Sequence, residues 1–457
     1  MIAENAIVLG LGVSGEAAAR LLVRQGATVT VVDRAAAGSL IAGEIESLLA
    51  LGVRVLMGVT SLPVDAFDLC VVSPGIDQAS AWVREMERRD VEVISELELG
   101  FRYCVCPIIA VTGTNGKSTL VKLLSDVLRL GGIRTEIAGN YGTPLSSVVE
   151  QGAAWDWIVV EVSSFQLERV SMFHPRVGVL LNIQPDHLNR HGDMQTYRTL
   201  KSRLFNCMGE HDVAVVHDIE LSGVKSLVTG APQWVSFGLS AEANVTYDAT
   251  EGVVCRDDTG KRVAIRVAGT AFDNPVLGLA VAAAVATVRS CGINPDLISE
   301  YLQKFTPLSH RIEAVRIVDD ISFVDDSKAT NLAALRAGIE IIKGPVRLIA
   351  GGQLKEKDLE FVKEVLARNV ACVYVIGEAS ELLIRAWQDT VPCLACGELA
   401  VAVRLAFKNA VPGDTVLLSP GCASFDQFRS YRDRGEQFKR IVEEIKEERK
   451  HENIVDG

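Results

Sequence analysis

The chain has no surplus of positive charge: 46 Lys and Arg face 58 Asp and Glu, a formal net charge of -12. Nucleic acid is therefore not an expected partner, because phosphate backbones are bound by excess Lys and Arg. An anionic small ligand stays open, since local amides and a few cations set the field inside a pocket. Long apolar runs are also missing. The most apolar stretch, PVLGLAVAAAVATV at 275–288, is shorter than the roughly 20 residues of a membrane span, so it reads as a buried helix and no membrane insertion is expected. The opening MIAENAIVLG has no basic n-region and no small-residue cleavage site, so it does not read as a signal peptide and a cytoplasmic location is expected. Ten cysteines are scattered without a framework. Cys393-x-x-Cys396 has no second pair nearby, which argues against structural zinc and for reduced, mostly buried thiols. Repeats and low-complexity segments are absent.

What is present is alternation. At 457 residues the chain exceeds one ordinary core. From residue 1 to 94, apolar runs such as AIVLG, TVTVV and LCVVSPG alternate with helical patterns, the signature of a parallel sheet with crossover helices. A second unit opens at PIIAVTGTNGKST and extends to Pro307 in FTPLSHR, a plausible linker, with hairpin-like strands over 234–268. A third α/β unit runs from 308 to 457 and closes on a charged amphipathic helix. The expected fold class is α/β in three domains: a Rossmann-like domain at 1–94, a P-loop-type central domain at 95–307, and a Rossmann-like domain at 308–457.

Two glycine loops carry the first chemical signals. IVLGLGVSG at 7–15 places Gly10-x-Gly12-x-x-Gly15 after a strand, with Asp33 further on, which read alone is a dinucleotide fingerprint. AVTGTNGKST at 110–119 is the stronger signal. Gly113, Thr114, Asn115 and Gly116 form a loop whose amides, with the helix opening at Lys117-Ser118-Thr119, make a phosphate cradle. Lys117 is expected along the β- and γ-phosphates and Ser118 on Mg²⁺. Val111 occupies the position of the first glycine in the strict pattern, so this is a variant loop. Nucleoside triphosphate binding is the expected function.

Other residues remain open on residue chemistry alone. Glu161 in VVEVSSFQLE suits a magnesium ligand at a strand end, or equally a cap on a neighbouring helix. His187 and His191 have zinc-like spacing, but Leu188 and Gly192 argue against a zincin helix; His187 is either a phosphate-metal contact or a satisfied loop histidine. Lys201 in YRTLKSRLF reads as a solvated helix residue. Asp326, Lys328 and Thr330 in FVDDSKATN follow a strand, where α/β folds bind ligands, and Ser424 in LLSPGCASFDQF does the same without a Gly-x-Ser-x-Gly nucleophile motif.

Taken together, VTGTNGKST, GNYG, EVSSFQLE, LLNIQPDHLNRHG, YRTLKSRLF, LSHRIE, DDSKATN and LLSPGCASFDQF resemble, in order and over the whole chain, the Mur ligases. These are ATP-dependent enzymes that add amino acids during peptidoglycan synthesis. SSFQLE and the SPGCASFDQF ending are most similar to members joining D-glutamate to UDP-N-acetylmuramoyl-L-alanine. The resemblance implies an acyl-phosphate mechanism, two Mg²⁺ sites and a monomer. It implies phosphate and metal roles for Lys117, Ser118, Glu161 and His187, and a carbamylated lysine at Lys201, which reverses the solvated reading. Arg311 and Asp326 are implied at ATP, and Asn274 at adenine, although Leu277 stands where the family's second asparagine is usual. Asn189 likewise replaces a more usual Asp. Lys328, Thr330, Lys355, Ser424 and the backbone of Phe425 and Tyr431 are implied around D-glutamate, and Asn140 at the muramoyl substrate. The first glycine loop then takes the UDP diphosphate, with Val13 and Ser14 as contacts, Asp33 and Arg34 towards uracil, and Ser73-Pro74-Gly75 closing the pocket. A ligase with another acceptor, including the folylpolyglutamate type, and a redox enzyme using the first loop are the competing readings.

Overall fold

The computed structural model describes residues 3–36, 42–256, 260–356 and 358–455. Its first sheet contains β1 (Asn5–Leu9), β2 (Thr28–Val32), β3 (Arg54–Leu56), β4 (Leu69–Val72) and β5 (Glu92–Ser95). All pairings are parallel, in the order β3-β2-β1-β4-β5. The central strands β1, β2 and β4 are nearly continuous Val, Ile and Leu because both faces are covered. Chain direction across the sheet reverses beside β1. The loops after β1 and β4 therefore flank the crevice where such sheets take ligands.

The second sheet contains β6 (Ile108–Thr112), β7 (Thr135–Gly139), β8 (Trp157–Glu161), β9 (Val177–Leu180), β10 (Val213–His217), β11 (Gln233–Gly238), β12 (Val245–Asp248), β13 (Gly252–Arg256) and β14 (Arg262–Ile265). The order is β14-β13-β12-β11-β10-β9-β6-β8-β7. The hairpin character expected over 234–268 holds for β12, β13 and β14, whereas β11 pairs in parallel with both neighbours. The apolar run becomes the helix Pro275–Ser290, buried through most of its length. Among the described residues no helix is long and apolar enough to cross a membrane.

The third sheet contains β15 (Glu313–Val318), β16 (Ile321–Asp325), β17 (Val346–Gly351), β18 (Val370–Ile376), β19 (Cys393–Gly397) and β20 (Thr415–Leu418), in the order β15-β16-β20-β17-β18-β19. β15 and β16 form a hairpin whose two-residue turn, Asp319-Asp320, has positive φ at both positions (51° and 60°). Aspartate tolerates that left-handed geometry through local hydrogen bonding.

By compactness the chain divides in two. One unit comprises 1–183, 190–270 and 278–303; the other comprises 184–189, 271–277 and 304–457. Within the first unit, the helix Glu96–Tyr103 joins the first two sheets. Glu98 on it is fully buried, and its carboxylate accepts from the amides of Ser171, Met172 and Phe173 and pairs with Arg102 at 3.0 Å. Glu96 accepts from the Ser146 amide at 2.7 Å, and burial pushes its carboxyl up. The Glu98 carboxylate is tolerated here because backbone donors and Arg102 replace its water.

Candidate active site

The loop Gly113–Gly116 leads from β6 into the helix Lys117–Leu130. Gly116 caps that helix in the left-handed region (φ 84°), which only glycine adopts without strain. Lys117 folds back over the loop, its Nζ donating to the carbonyls of Gly113 and Thr114, both at 2.8 Å. Ser118 Oγ donates to Glu161 Oε2 at 2.5 Å, and Asn140 Nδ2 donates to Glu161 Oε1 at 2.6 Å. Glu161 ends β8, and Asn140 follows β7 in the adjoining register position, its amide donating to the Glu161 carbonyl at 2.8 Å. Gly139 makes that approach possible: a Cβ there would lie 2.2 Å from the Glu161 carbonyl oxygen. A serine hydroxyl and a carboxylate therefore meet beside the glycine loop, two oxygen donors suited to a hard cation, with the Asn140 amide nitrogen holding the carboxylate's other oxygen.

Lys201 belongs to the helix Met194–Ser202 and is only 1% exposed. Its Nζ donates to the Gly113 carbonyl at 2.8 Å and lies 4.6 Å from the centre of the Tyr197 ring. The solvated reading of this residue does not hold; the helix turns Lys201 inward to the glycine loop. The Tyr197 hydroxyl is also 3.3 Å from Thr114 Oγ1. A second support lies within the LLNIQPDHLNRHG stretch, at a residue the sequence alone does not single out. Asn182, just beyond β9, accepts from the amides of Thr114 (3.1 Å) and Asn115 (2.9 Å) and donates to the Asn115 carbonyl (3.1 Å). It pins the loop at Thr114 and Asn115.

In the first sheet, Gly10 follows β1 with φ 90°, and Gly12 caps the helix Val13–Arg24. A Cβ on Gly15 would stand 1.9 Å from the Gly10 carbonyl oxygen, so the third glycine lets helix and strand touch. Ser73 Oγ donates to that same carbonyl at 2.9 Å. Both Asp33 carboxylate oxygens accept backbone amides at 2.7 Å, from Leu11 and from Ala35, so Asp33 shapes the glycine loop itself. A cavity of about 260 Å³ is lined by Gly10, Asp33, Arg34, Gly75 and Trp82. The Arg34 guanidinium lies 4.8 Å above the Trp82 ring, giving this pocket a flat cationic and aromatic wall. Val13 is exposed and Ser14 partly so, at the helix N-terminus.

Arg190 ties this pocket to the second sheet. It donates to the carbonyls of Pro74 (2.9 Å) and Ile76 (3.1 Å), pairs with Glu168 at 2.5 Å and lies 4.2 Å from the Phe165 ring centre. Neither Asn182 nor Arg190 stands out by residue type or spacing.

The second unit gathers the remaining residues. His187 adopts a positive φ of 55°, and Asp186 beside it accepts from Asn331 Nδ2 at 2.9 Å. Asn331 also caps the helix Leu332–Ile341, accepting from the Ala334 amide at 2.7 Å. Asp326 points inward, accepting from Ser419 Oγ at 2.8 Å, and burial pushes its carboxyl up to about 7. Arg311 contributes an opposing positive field there. Lys328 Nζ is 3.8 Å from the Tyr431 ring centre. For the Tyr431 phenol, burial acts upward, but the Lys328 charge and hydrogen bonds from Lys328 and Arg432 outweigh it and lower the pKa. Thr330 lies partly exposed two residues beyond Lys328.

The loop of Lys355 is joined to that of Ser424 by an antiparallel bridge between Gln353 and Ala423. Lys355 and Phe425 are exposed there, whereas Ser424 is buried. Arg434, fully buried, donates to the Ser327 hydroxyl and carbonyl and to the Cys422 carbonyl, at 3.0, 2.9 and 3.1 Å. It thereby fixes the loops carrying Lys328 and Ser424, and burial lowers it to about 10. Asn274 accepts from the Leu277 amide at 2.9 Å, capping the helix start. Cys393 and Cys396 lie three residues apart on β19, so their side chains leave opposite faces of the strand.

A family model described as Mur ligase MurD-like, N-terminal domain, matches residues 4–95. Mur ligase middle domain matches 111–283, and Mur ligase, glutamate ligase domain, matches 310–422. A UDP-N-acetylmuramoylalanine--D-glutamate ligase from Pelotomaculum thermopropionicum is 38% identical over 461 residues, covering 97% of this chain and 98% of its own length. The enzyme of that name from Syntrophus aciditrophicus is 35% identical over 454 residues, covering 96% and 97%. The crystal structure of MurF ligase from Thermotoga maritima in complex with ADP shares the fold, with a TM-score of 0.62 at 16% identity over 92% of this chain and 96% of that one. With all three domains matched in order and relatives aligned over nearly their full length, the chain belongs to the Mur ligase family.

Proposed function

We propose that the chain joins the amine of D-glutamate to the carboxyl of UDP-N-acetylmuramoyl-L-alanine at the expense of ATP, in peptidoglycan synthesis. The observation that carries the reading is the convergence of Lys117, Ser118, Glu161, Asn140 and Lys201 on one glycine loop, in a chain whose full-length relatives bear that ligase name. A carboxylate is a poor electrophile, and transfer of the γ-phosphoryl group to it supplies a leaving group. The D-glutamate amine then attacks the acyl phosphate, and the tetrahedral intermediate collapses to amide and phosphate. The loop amides and Lys117 meet the charge on the transferring phosphoryl group.

Mg²⁺ fits the oxygens of Ser118 and Glu161, which already share a proton-donor contact at 2.5 Å. When bound it would neutralise phosphate charge. His187 is assigned to a second such site. Lys201, buried against Gly113, is assigned as a carbamate, formed when its neutral amine adds to CO₂ with loss of a proton. Val13, Ser14, Asp33, Arg34 and Ser73–Gly75 form the UDP site, with the flat Arg34–Trp82 wall against uracil. Arg311, Asp326 and Asn274 are assigned to nucleotide. Lys328, Thr330, Lys355, Ser424, Phe425 and Tyr431 are assigned to D-glutamate. The enzyme acts as a monomer in the cytoplasm, where its nucleotide substrates are found.

Purified protein with ATP, Mg²⁺ and UDP-N-acetylmuramoyl-L-alanine is expected to release phosphate only when D-glutamate is added. Release with L-lysine or diaminopimelate in its place would reassign the acceptor.

A further inference from the structure

Cys104 and Cys106 occupy the short connection between the helix Glu96–Tyr103 and β6, the covalent joint between the first and second sheets. Their sulfur atoms are 3.8 Å apart, and Cys104 Sγ also lies 3.4 Å from the Cys106 carbonyl oxygen. Both thiols are half-buried, whereas Val105 between them is fully exposed. The joint is thus open to a small solute. Bringing the sulfurs from that separation to a bond of about 2.05 Å requires side-chain rotation and local bending at Val105, whose side chain is free of packing. Of the other thiols, Cys70, Cys255, Cys372 and Cys422 are buried and Cys207 is exposed with its Sγ on the Ser171 carbonyl; Cys291, Cys393 and Cys396 are half-buried, with Cys393 on the Val391 carbonyl and Cys396 on the Leu394 carbonyl.

We propose that Cys104 and Cys106 are a modification site: a dithiol that hydroperoxides oxidise to a reversible disulfide at this joint. The electrostatics assign the two roles. The contact between the sulfurs, in which either can donate, outweighs burial and lowers Cys104 to about 7, while the same contact, burial and the nearby Asp156 charge push Cys106 up. Cys104 is the thiol whose ionisation this favours and is the attacking sulfur, with Cys106 the resolving thiol. In the first step the Cys104 thiolate attacks a peroxide oxygen. An S–O bond forms, the O–O bond breaks, and hydroxide leaves and takes a proton to become water. In the second, the Cys106 sulfur attacks the Cys104 sulfenic acid. The S–S bond forms, the S–O bond breaks, and the departing hydroxide takes the Cys106 proton. Overall two thiols are oxidised and one hydrogen peroxide is reduced to two waters. A dithiol reductant reverses the change by exchange.

The test uses the full chain with hydrogen peroxide as probe and peptide mass spectrometry as readout, Cys207 serving as the internal reference thiol. Expected is loss of two hydrogens from the peptide carrying Cys104 and Cys106, at least about tenfold faster than oxidation of Cys207 and reversed by dithiothreitol. In Cys106→Ser the reaction should stop at a Cys104 sulfenic acid that dimedone captures. Two outcomes overturn the proposal. One is that both thiols stay free while Cys207 is oxidised. The other is that Cys104 proceeds to sulfinic acid in the parent protein without an intervening disulfide. Because serine variants remove no group of the nucleotide site, circular dichroism of Cys104→Ser/Cys106→Ser separates any folding defect from loss of the redox reaction.

Discussion

Replacing Asn182 with alanine should weaken nucleotide binding strongly although the residue carries no charge and belongs to no phosphate motif. Its side chain makes three hydrogen bonds to the loop, to the Thr114 and Asn115 amides and the Asn115 carbonyl, at 3.1, 2.9 and 3.1 Å. Each is worth about 0.5–1.5 kcal/mol net. The Thr114 amide keeps a second acceptor, the Asn182 backbone carbonyl at 2.9 Å, so the loss lies nearer two bonds than three, about 1–3 kcal/mol. Where that energy holds the cradle in its binding shape, it converts to a five- to hundredfold rise in Kd, at about 1.4 kcal/mol per decade. Calorimetric titration with a non-hydrolysable ATP analogue measures it, beside a thermal melt. Asn182→Asp keeps both acceptor contacts but sets an oxygen against the Asn115 carbonyl where the amide donated, so the melt should fall as well, and its negative charge beside the phosphates should weaken the analogue at least as much. Binding by Asn182→Ala within twofold of the parent would refute the idea that this side chain preorganises the loop.

Other perturbations address the rest of the site. Lys201→Ala should lower turnover by at least about a thousandfold and recover partly with a small carboxylate such as acetate or formate; undiminished activity removes the carbamate assignment. Glu161→Ala should raise the Mg²⁺ concentration needed for half-maximal rate by more than tenfold while the Kd for the UDP-sugar changes less, and equal losses would count against a ligand role. Arg190→Ala frees the Pro74 and Ile76 carbonyls, so KM for the UDP-sugar should rise about tenfold with KM for ATP nearly constant; an equal rise in both would instead indicate a folding defect. Asp326, raised by burial from 3.8 to about 7, favours the protonated form in the fold. Its contribution to stability is therefore full below pH 4 and lost as pH rises through 7, by at most about 4 kcal/mol. Denaturant midpoints across that range should show the slope in the parent and lose it in Asp326→Asn; an unchanged slope would assign it elsewhere.

Much of the architecture was legible because alternating apolar runs and glycine loops encode parallel sheets directly. AIVLG, TVTVV and LCVV became β1, β2 and β4, and TGTNGKST became a loop capped by a left-handed glycine. The geometry of the Gly113–Gly116 loop was legible for the same reason: a tight left-handed turn into a helix demands glycine, and glycine is visible. Lys201 was not legible from residue chemistry, since a lysine in a polar helix looks solvated whichever way the helix is rotated. Its burial depends on how the helix Met194–Ser202 packs, and only the family resemblance anticipated it. Asn182, Arg190 and Arg434 escaped notice because they hold backbone carbonyls and amides contributed by distant segments. Their partners exist only once the chain is folded. Asp33 stood out by its distance from the first glycine loop, but spacing did not show that its carboxylate is occupied by two backbone amides.

Glu161 is shared property. One oxygen faces the Ser118 hydroxyl and the other the Asn140 amide, so a single carboxylate stands between the nucleotide loop and the residue assigned to the sugar substrate. A cation held by Ser118 and Glu161 would compete for the carboxylate that Asn140 also holds, and so would bear on how that amide meets a second ligand. Thermodynamic linkage makes the effect reciprocal: whatever factor the nucleotide adds to sugar affinity, the sugar returns to the nucleotide. Two substrates that must meet for phosphoryl transfer are thereby also made to report on one another through one side chain.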